Sequence, residues 1–180
     1  MRSTLICIAQ TLFLAASIVP SVIAAATNVP AAQCDSPVLV SQSYIGNNND
    51  VLQSTYTCSG NGTTAGLPVN NVSGAPCDTS CVSPVNAGPN PDDCRRISDA
   101  LNYEDQQHGD VVEIPNMSLV QVAYGRCVSD VVNKDPSHDL IYSYEYWAMN
   151  IVNIVGQCQA QDDGGICVAQ SRLWFIQVDS

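Results

Sequence analysis

The sequence predicts an α+β fold, a mainly antiparallel sheet with two packed helices (an αβ or αβα sandwich) stapled by disulfides. Three observations predict it. Two stretches repeat apolar residues at helical spacing, while several short runs alternate with the two-residue period of strands. The connections between them are too short for several parallel crossovers. An even number of cysteines remains once an N-terminal leader is set aside.

Residues 1–26 read as a signal peptide. Arg2 gives a positive start, 5–23 is an apolar run, and Ala24, Ala25 and Ala26 supply small residues for cleavage. Gln10, Thr11 and Pro20 interrupt the run and no basic stop-transfer cluster follows, so a membrane anchor is the poorer reading. No second apolar stretch is long enough to span a bilayer. Residues 27–180 are then a single secreted domain with an irregular excursion at 59–90.

Removing the leader takes Cys7 and Arg2. Eight cysteines stay (Cys34, Cys58, Cys77, Cys81, Cys94, Cys127, Cys158 and Cys167), and four disulfides are expected from an oxidising route. Eight cysteines allow 105 pairings. Cys158 with Cys167 across the last turn is the first expectation, together with Cys77 or Cys81 tying the excursion to the core. Zinc lacks its usual paired-thiolate spacing: the closest pair is Cys77-x3-Cys81, and only His108 and His138 are present. No metal or cofactor is expected. Five basic residues remain against seventeen acidic ones, a formal charge of −12, which excludes nucleic acid and anionic membrane surfaces as partners.

Residues 27–33 are a small-residue lead-in. Residues 50–58 are the first strand, with Leu52, Tyr56 and Cys58 expected on its inner face. Residues 59–66 form a glycine and threonine turn region, and the proline-rich 67–90 an irregular surface excursion. Asn90-Pro91-Asp92-Asp93 starts a helix over 91–105, ending before Gly109, with Cys94, Ile97 and Leu101 inward. Residues 111–114 are a short strand ended by Pro115. Residues 119–132 are the longest strand candidate, with Val120, Val122 and Tyr124 on one face and a bend at Gly125. The second helix is expected over 135–158, started by Asp135 and Pro136 and stopped near Gly156. Leu140, Tyr144, Trp147, Ile151, Ile154 and Cys158 form its apolar stripe. Asp162 to Gly165 turn the chain, and 166–178 close it as a strand.

From Pro91-Asp92-Asp93-Cys94 onward, a set of motifs carries a family resemblance. A P-x-D-C helix start is followed by Tyr124-Gly125-Arg126-Cys127 at a strand bend and a Trp-bearing helix ending in Cys158. Gly164-Gly165-Ile166-Cys167-Val168 and Trp174-Phe175-Ile176-Gln177-Val178 come after. Over 89–178 the chain resembles mushroom glycan-binding lectins of αβα-sandwich fold; it also resembles secreted fungal effector and killer-toxin-like domains. The first resemblance implies a secreted lectin that binds cell-surface or cell-wall glycans without catalysis and forms a homodimer through its sheet. The second implies an effector or toxin acting on a protein target.

Candidate site residues follow from chemistry. Tyr142, Tyr146, Asn150 and Asn153 fall between about 200° and 280° from Leu140 around the expected helix. Tyrosine rings stack on sugar faces and carboxamides pair with hydroxyls; the competing role is packing under the excursion or a dimer partner. Arg172 and Trp174, two apart on one expected strand face, are a second platform, although a core position for Trp174 is the simpler expectation. Ser137-His138-Asp139 has the letters of a hydrolase triad, but consecutive residues do not converge as a triad must. The pairs Asp92-Asp93 and Asp162-Asp163 serve a helix start and a turn, so a small glycoside hydrolase is the weaker alternative and no catalytic residue is assigned. Asn61, Asn71 and Asn116 head glycosylation sequons, consistent with a glycoprotein.

Overall fold

The computed structural model describes residues 34, 36–58, 66–82, 88–109, 111–158 and 164–180. The signal-peptide expectation over 1–26 and the Asn61 sequon lie outside those residues. The described elements are β1 (Val38–Ile45), β2 (Val51–Thr57), β3 (Val69–Asn71), β4 (Cys77–Val82), α1 (Pro91–His108), β5 (Val111–Ile114), β6 (Ser118–Tyr124), β7 (Cys127–Asn133), β8 (Asp139–Ser143), α2 (Tyr144–Cys158), β9 (Gly164–Ala169) and β10 (Trp174–Asp179). Seven strands form one antiparallel sheet in the order β1-β2-β6-β7-β10-β9-β4; β3, β8 and β5 form a small second sheet with β8 central. The expected α+β class with two helices on a mainly antiparallel sheet is what the chain adopts.

The chain folds this way for local reasons. Asn90 has extended backbone dihedrals, and its Oδ1 accepts the free N–H groups of Asp92 at 2.9 Å and Asp93 at 3.4 Å, a cap worth about 1 kcal/mol. Pro91 at the first helical position sacrifices no hydrogen bond. Ile97 and Leu101 of α1 and Trp147, Ile151 and Ile154 of α2 are fully buried against Val120, Val122, Val131 and Ile176 of the sheet. Both helices therefore cover one face of the large sheet, the two-layer αβ form of the expectation. Trp147 also donates from Nε1 to Ser129 Oγ at 2.9 Å, satisfying the one polar group its burial would strand. On the opposite face Leu119, Val132 and Phe175 gather around the Cys34–Cys58 bridge in a second, smaller cluster.

Four disulfides are present: Cys34–Cys58, Cys77–Cys167, Cys81–Cys158 and Cys94–Cys127. The expected Cys158–Cys167 bridge is not among them. Instead, β4 lies beside β9, bringing Cys77 opposite Ala169 and Cys81 opposite Gly165; this register hands Cys167 to Cys77 and Cys158 to Cys81. Both excursion cysteines thus tie it to the core.

Several boundaries differ from expectation. Helix α2 starts at Tyr144, not Asp135: residues 139–143 are a strand, and Ser143 Oγ accepts the Tyr146 N–H at 3.4 Å as the actual cap. Gly156 does not stop α2, which runs on to Cys158. The excursion is only partly irregular, since it holds β3 and β4. The single strand expected at 119–132 is a hairpin, β6 and β7, turning at Gly125 with φ 54°. The closing strand is likewise two, β9 and β10, joined by a turn. In β2 the helix side takes Val51, while Tyr56 and Cys58 join the opposite cluster, reversing the expected inner face. The sequence reading also missed β1 altogether.

Candidate functional site

The outward side of α2 faces the chain that leads into β4, and a groove of about 330 Å³ lies between them. Tyr146, Met149, Asn150, Asn153 and Gln157 line it from the helix, and Gly74 to Cys77 with Thr79 from the other side. None of its lining residues is charged, although the chain carries seventeen acidic residues. Three of the six expected glycan-site residues, Tyr146, Asn150 and Asn153, meet here.

Each side chain has a distinct state. Tyr146 is 40% exposed, and Gly74 lies so close beneath its ring that a Cβ there would sit 2.9 Å from Cζ. Gly74 also has φ 70°, the left-handed region that favours glycine. The loop therefore packs against one part of the ring and leaves another open. Asn150 donates through Nδ2 to the Tyr142 hydroxyl at 2.8 Å and to the Tyr146 carbonyl at 2.9 Å. Both amide protons being used, Oδ1 is left as an acceptor, 3.9 Å from the Cys77 sulfur, which as a disulfide has no proton to give. Asn153 and Gln157 are exposed and make no side-chain hydrogen bond among the described residues. The groove thus offers a fixed acceptor, two free carboxamides, a half-open aromatic ring and the exposed Met149 thioether.

The other expected residues lie elsewhere. Tyr142 is in β8, not on α2, and is fully buried, its ring 5.5 Å from that of Trp174. Burial pushes its phenol up to about 12. Its hydroxyl accepts from Asn150 and so holds that side chain in place. Trp174 is buried in the main core, as the simpler expectation for it had it. Arg172 does not share a strand face with it: it sits in the turn between β9 and β10 at φ 59°. There it borders a separate hollow of about 550 Å³ with Asp78, Ser80, Val168 and Gln170, and Trp174 is absent from that lining. The sequence reading missed Met149, Gln157, Thr79 and Gly74. Gln157, seven residues after Asn150 on the same helix face, was within reach of the periodicity argument; the residues before β4 were not.

The triad letters resolve into a turn. His138 Nδ1 lies 3.0 Å from Asp135 Oδ2, Asp135 Oδ1 accepts the Ser137 N–H at 2.8 Å, and Asp139 Oδ1 accepts the Asn116 N–H at 2.8 Å. They hold the approach to β8, not the first turn of a helix. Asn116 is 4% exposed, so the sequon there is sterically closed to a glycan, whereas Asn71 is exposed with Oδ1 accepting from Ser73 N at 2.9 Å. Among the described residues no cluster of three or more histidine, cysteine or carboxylate side chains could hold a metal. One carboxylate stands out on the sheet face away from the helices. Asp130, buried and accepting from Gln121 Nε2 at 2.9 Å, is pushed up to about 7, first by desolvation and also by the charge of Asp179. No protein family matches the chain, and neither a curated protein nor a solved structure does.

Proposed function

We propose that this chain is a secreted, non-enzymatic glycan-binding protein whose groove between α2 and β4 takes a neutral oligosaccharide. The observation that carries the reading is the charge-free groove in a strongly acidic chain, with carboxamides and an open tyrosine ring on one wall. Sugar hydroxyls need paired donors and acceptors, and sugar ring faces need an aromatic or thioether surface. Several disulfides fit an extracellular protein. The acidic surface disfavours sulfated or uronic sugars, which leaves neutral ones. A shallow site gives modest affinity, so a homodimer presenting two grooves would add avidity.

A glycan array run beside a reducing-sugar assay tests this. Binding that free sugar competes away, without new reducing ends, is the expected outcome. Release of reducing ends would make the chain a hydrolase, and cell binding that survives glycan removal would favour the effector-like alternative. Tyr146→Ala should weaken glycan binding at least tenfold while the fold persists. Trp147→Ala, by contrast, should cost about 3–5 kcal/mol of stability. Normal binding by Tyr146→Ala would move the site out of this groove.

A further inference from the structure

A second hollow lies on the other flank of α2. Ser98 and Asn102 of α1 border it together with Ala148, Met149, Val152 and Asn153 of α2, around a space of about 210 Å³. Met149 and Asn153 also line the groove on the β4 side. Residues four apart share a helix face, so these two form a crest along which the hollows meet. Neither hollow has a charged residue in its lining. The next cavity along, about 140 Å³ and sharing Val152, has Arg95 in its lining, and the uncharged strip ends there.

The second hollow has a fixed floor and a free wall. Ser98 is buried, and its hydroxyl lies 3.2 Å from the Cys94 carbonyl and 3.3 Å from the Ala148 carbonyl. That contact fastens α1 to α2, so the gap between the helices keeps its width. Asn102, half-buried, makes no side-chain hydrogen bond among the described residues. Met149 and Val152 are 49% and 54% exposed. Free carboxamide beside apolar surface is the same mixture that the groove presents.

We propose that the ligand straddles α2. One stretch of a neutral oligosaccharide lies in the groove, the chain crosses at Met149 and Asn153, and a further stretch fills the second hollow against Asn102. This rests on the glycan reading of the groove and deepens it by setting a minimum length. The hollows lie on opposite flanks of a helix on the order of 10 Å across, which a single sugar ring does not span. Their linings select the occupant. Asn102 and Asn153 match hydroxyls with donors and acceptors, while the thioether and valine surfaces suit ring faces. A sulfated or uronic chain finds no cation in either hollow and meets repulsion from a protein of net charge −11. A second contact within one molecule acts at an effective concentration on the order of millimolar, so even a weak hold at Asn102 raises affinity. Short oligosaccharides use the groove alone and longer ones use both hollows.

Calorimetric titration with linear chito-, cello- and manno-oligosaccharides, from monosaccharide to hexasaccharide, tests this, together with side-chain amide NMR. Affinity should rise at least tenfold from disaccharide to hexasaccharide in the series that binds. The Asn102 amide signals should shift with the hexasaccharide and not with the disaccharide. Asn102→Ala and Val152→Glu change residues that line the second hollow and not the groove. Each should remove the gain with length while disaccharide binding and circular dichroism stay unchanged. Tyr146→Ala should weaken every length alike. Equal affinity at all lengths, or a gain that survives both changes, would overturn the straddling ligand and leave the groove as the site. Failure of every series to bind would overturn it together with the glycan reading.

Discussion

The two edges of the large sheet are both largely exposed but are held in different ways. Strand β4 is pinned by two covalent bonds, to β9 through Cys77–Cys167 and to the end of α2 through Cys81–Cys158. Strand β1 itself carries no disulfide: it has its ladder to β2, a Gln42–Ser54 hydrogen bond, the Cys34–Cys58 bridge just ahead of it at the end of β2, and a turn seated on α1. In that turn Gly46, at φ 85°, rests on Ala100 and donates its N–H to Glu104 Oε1 at 2.8 Å. The covalent edge forms a wall of the groove, where a displacement of an ångström would change its shape; the other edge lines no part of it. The contrast teaches that the edge strand forming a groove wall carries its disulfides within itself, whereas the bridge near β1 lies just outside that strand.

Breaking the covalent edge should have the largest effect. The double change Cys81→Ala with Cys158→Ala should lower unfolding free energy by about 2–5 kcal/mol in denaturant titration and weaken any groove ligand, while amide exchange in β1 is unchanged. Faster exchange in β1 along with β4 would show that the two edges are not independent.

The middle of the sheet should respond to pH. Asp130 lifted to about 7 from an unfolded value of 3.8 means that the folded chain holds a proton that the unfolded one releases between those values. Its stabilising contribution is complete below 3.8 and is lost as pH rises through about 7, a span worth on the order of 4 kcal/mol at most. Asp130→Asn should therefore raise stability at pH 8, leave it nearly unchanged at pH 3.5, and flatten the profile between. A wild-type profile flat from pH 4 to 8 would show that this carboxylate is solvated.

On the free edge the effect should be smaller. Gly46→Ala puts a Cβ 2.7 Å from the Ala100 Cβ at a positive φ, which should cost about 1–3 kcal/mol. Amide exchange should rise in β1 first, with β4 unaffected. Smallest is Val40→Lys: at an exposed edge position it should change stability by less than about 0.5 kcal/mol in denaturant titration.

How much of this the sequence revealed depended on how local the cause was. The start of α1 was legible because Asn90, Pro91 and the two aspartates act on groups within three residues. The apolar stripe of α2 was legible too, but not its beginning. Leu140 and Tyr144 are four residues apart, and positions four apart share a face in a strand as well as in a helix, so β8 passed for a first helical turn. The cue overlooked was Ser143 as cap. Strand β1 was missed because solvent on both faces erases the alternation that marks a half-buried strand. The groove was half legible: Tyr146, Asn150 and Asn153 share a periodic face, but its other wall comes from residues some seventy positions earlier. The buried state of Asn116 and the bridges of β4 depend on the same kind of distant contact.

That distance has a consequence for biosynthesis. Cys77 and Cys81 emerge 90 and 77 residues ahead of their partners, which at ordinary elongation rates is roughly 5–20 s. Throughout that interval they are neighbouring thiols, four positions apart, exposed to the wrong bond, whereas Cys34–Cys58 and Cys94–Cys127 can close across 24 and 33 residues as soon as those stretches appear. Oxidation should therefore come in two waves, resolvable by pulse-labelling with thiol alkylation. A chain stalled before Cys167 would carry an unpaired thiol on β4, a chemical mark by which thiol-dependent retention could tell an unfinished molecule from a finished one.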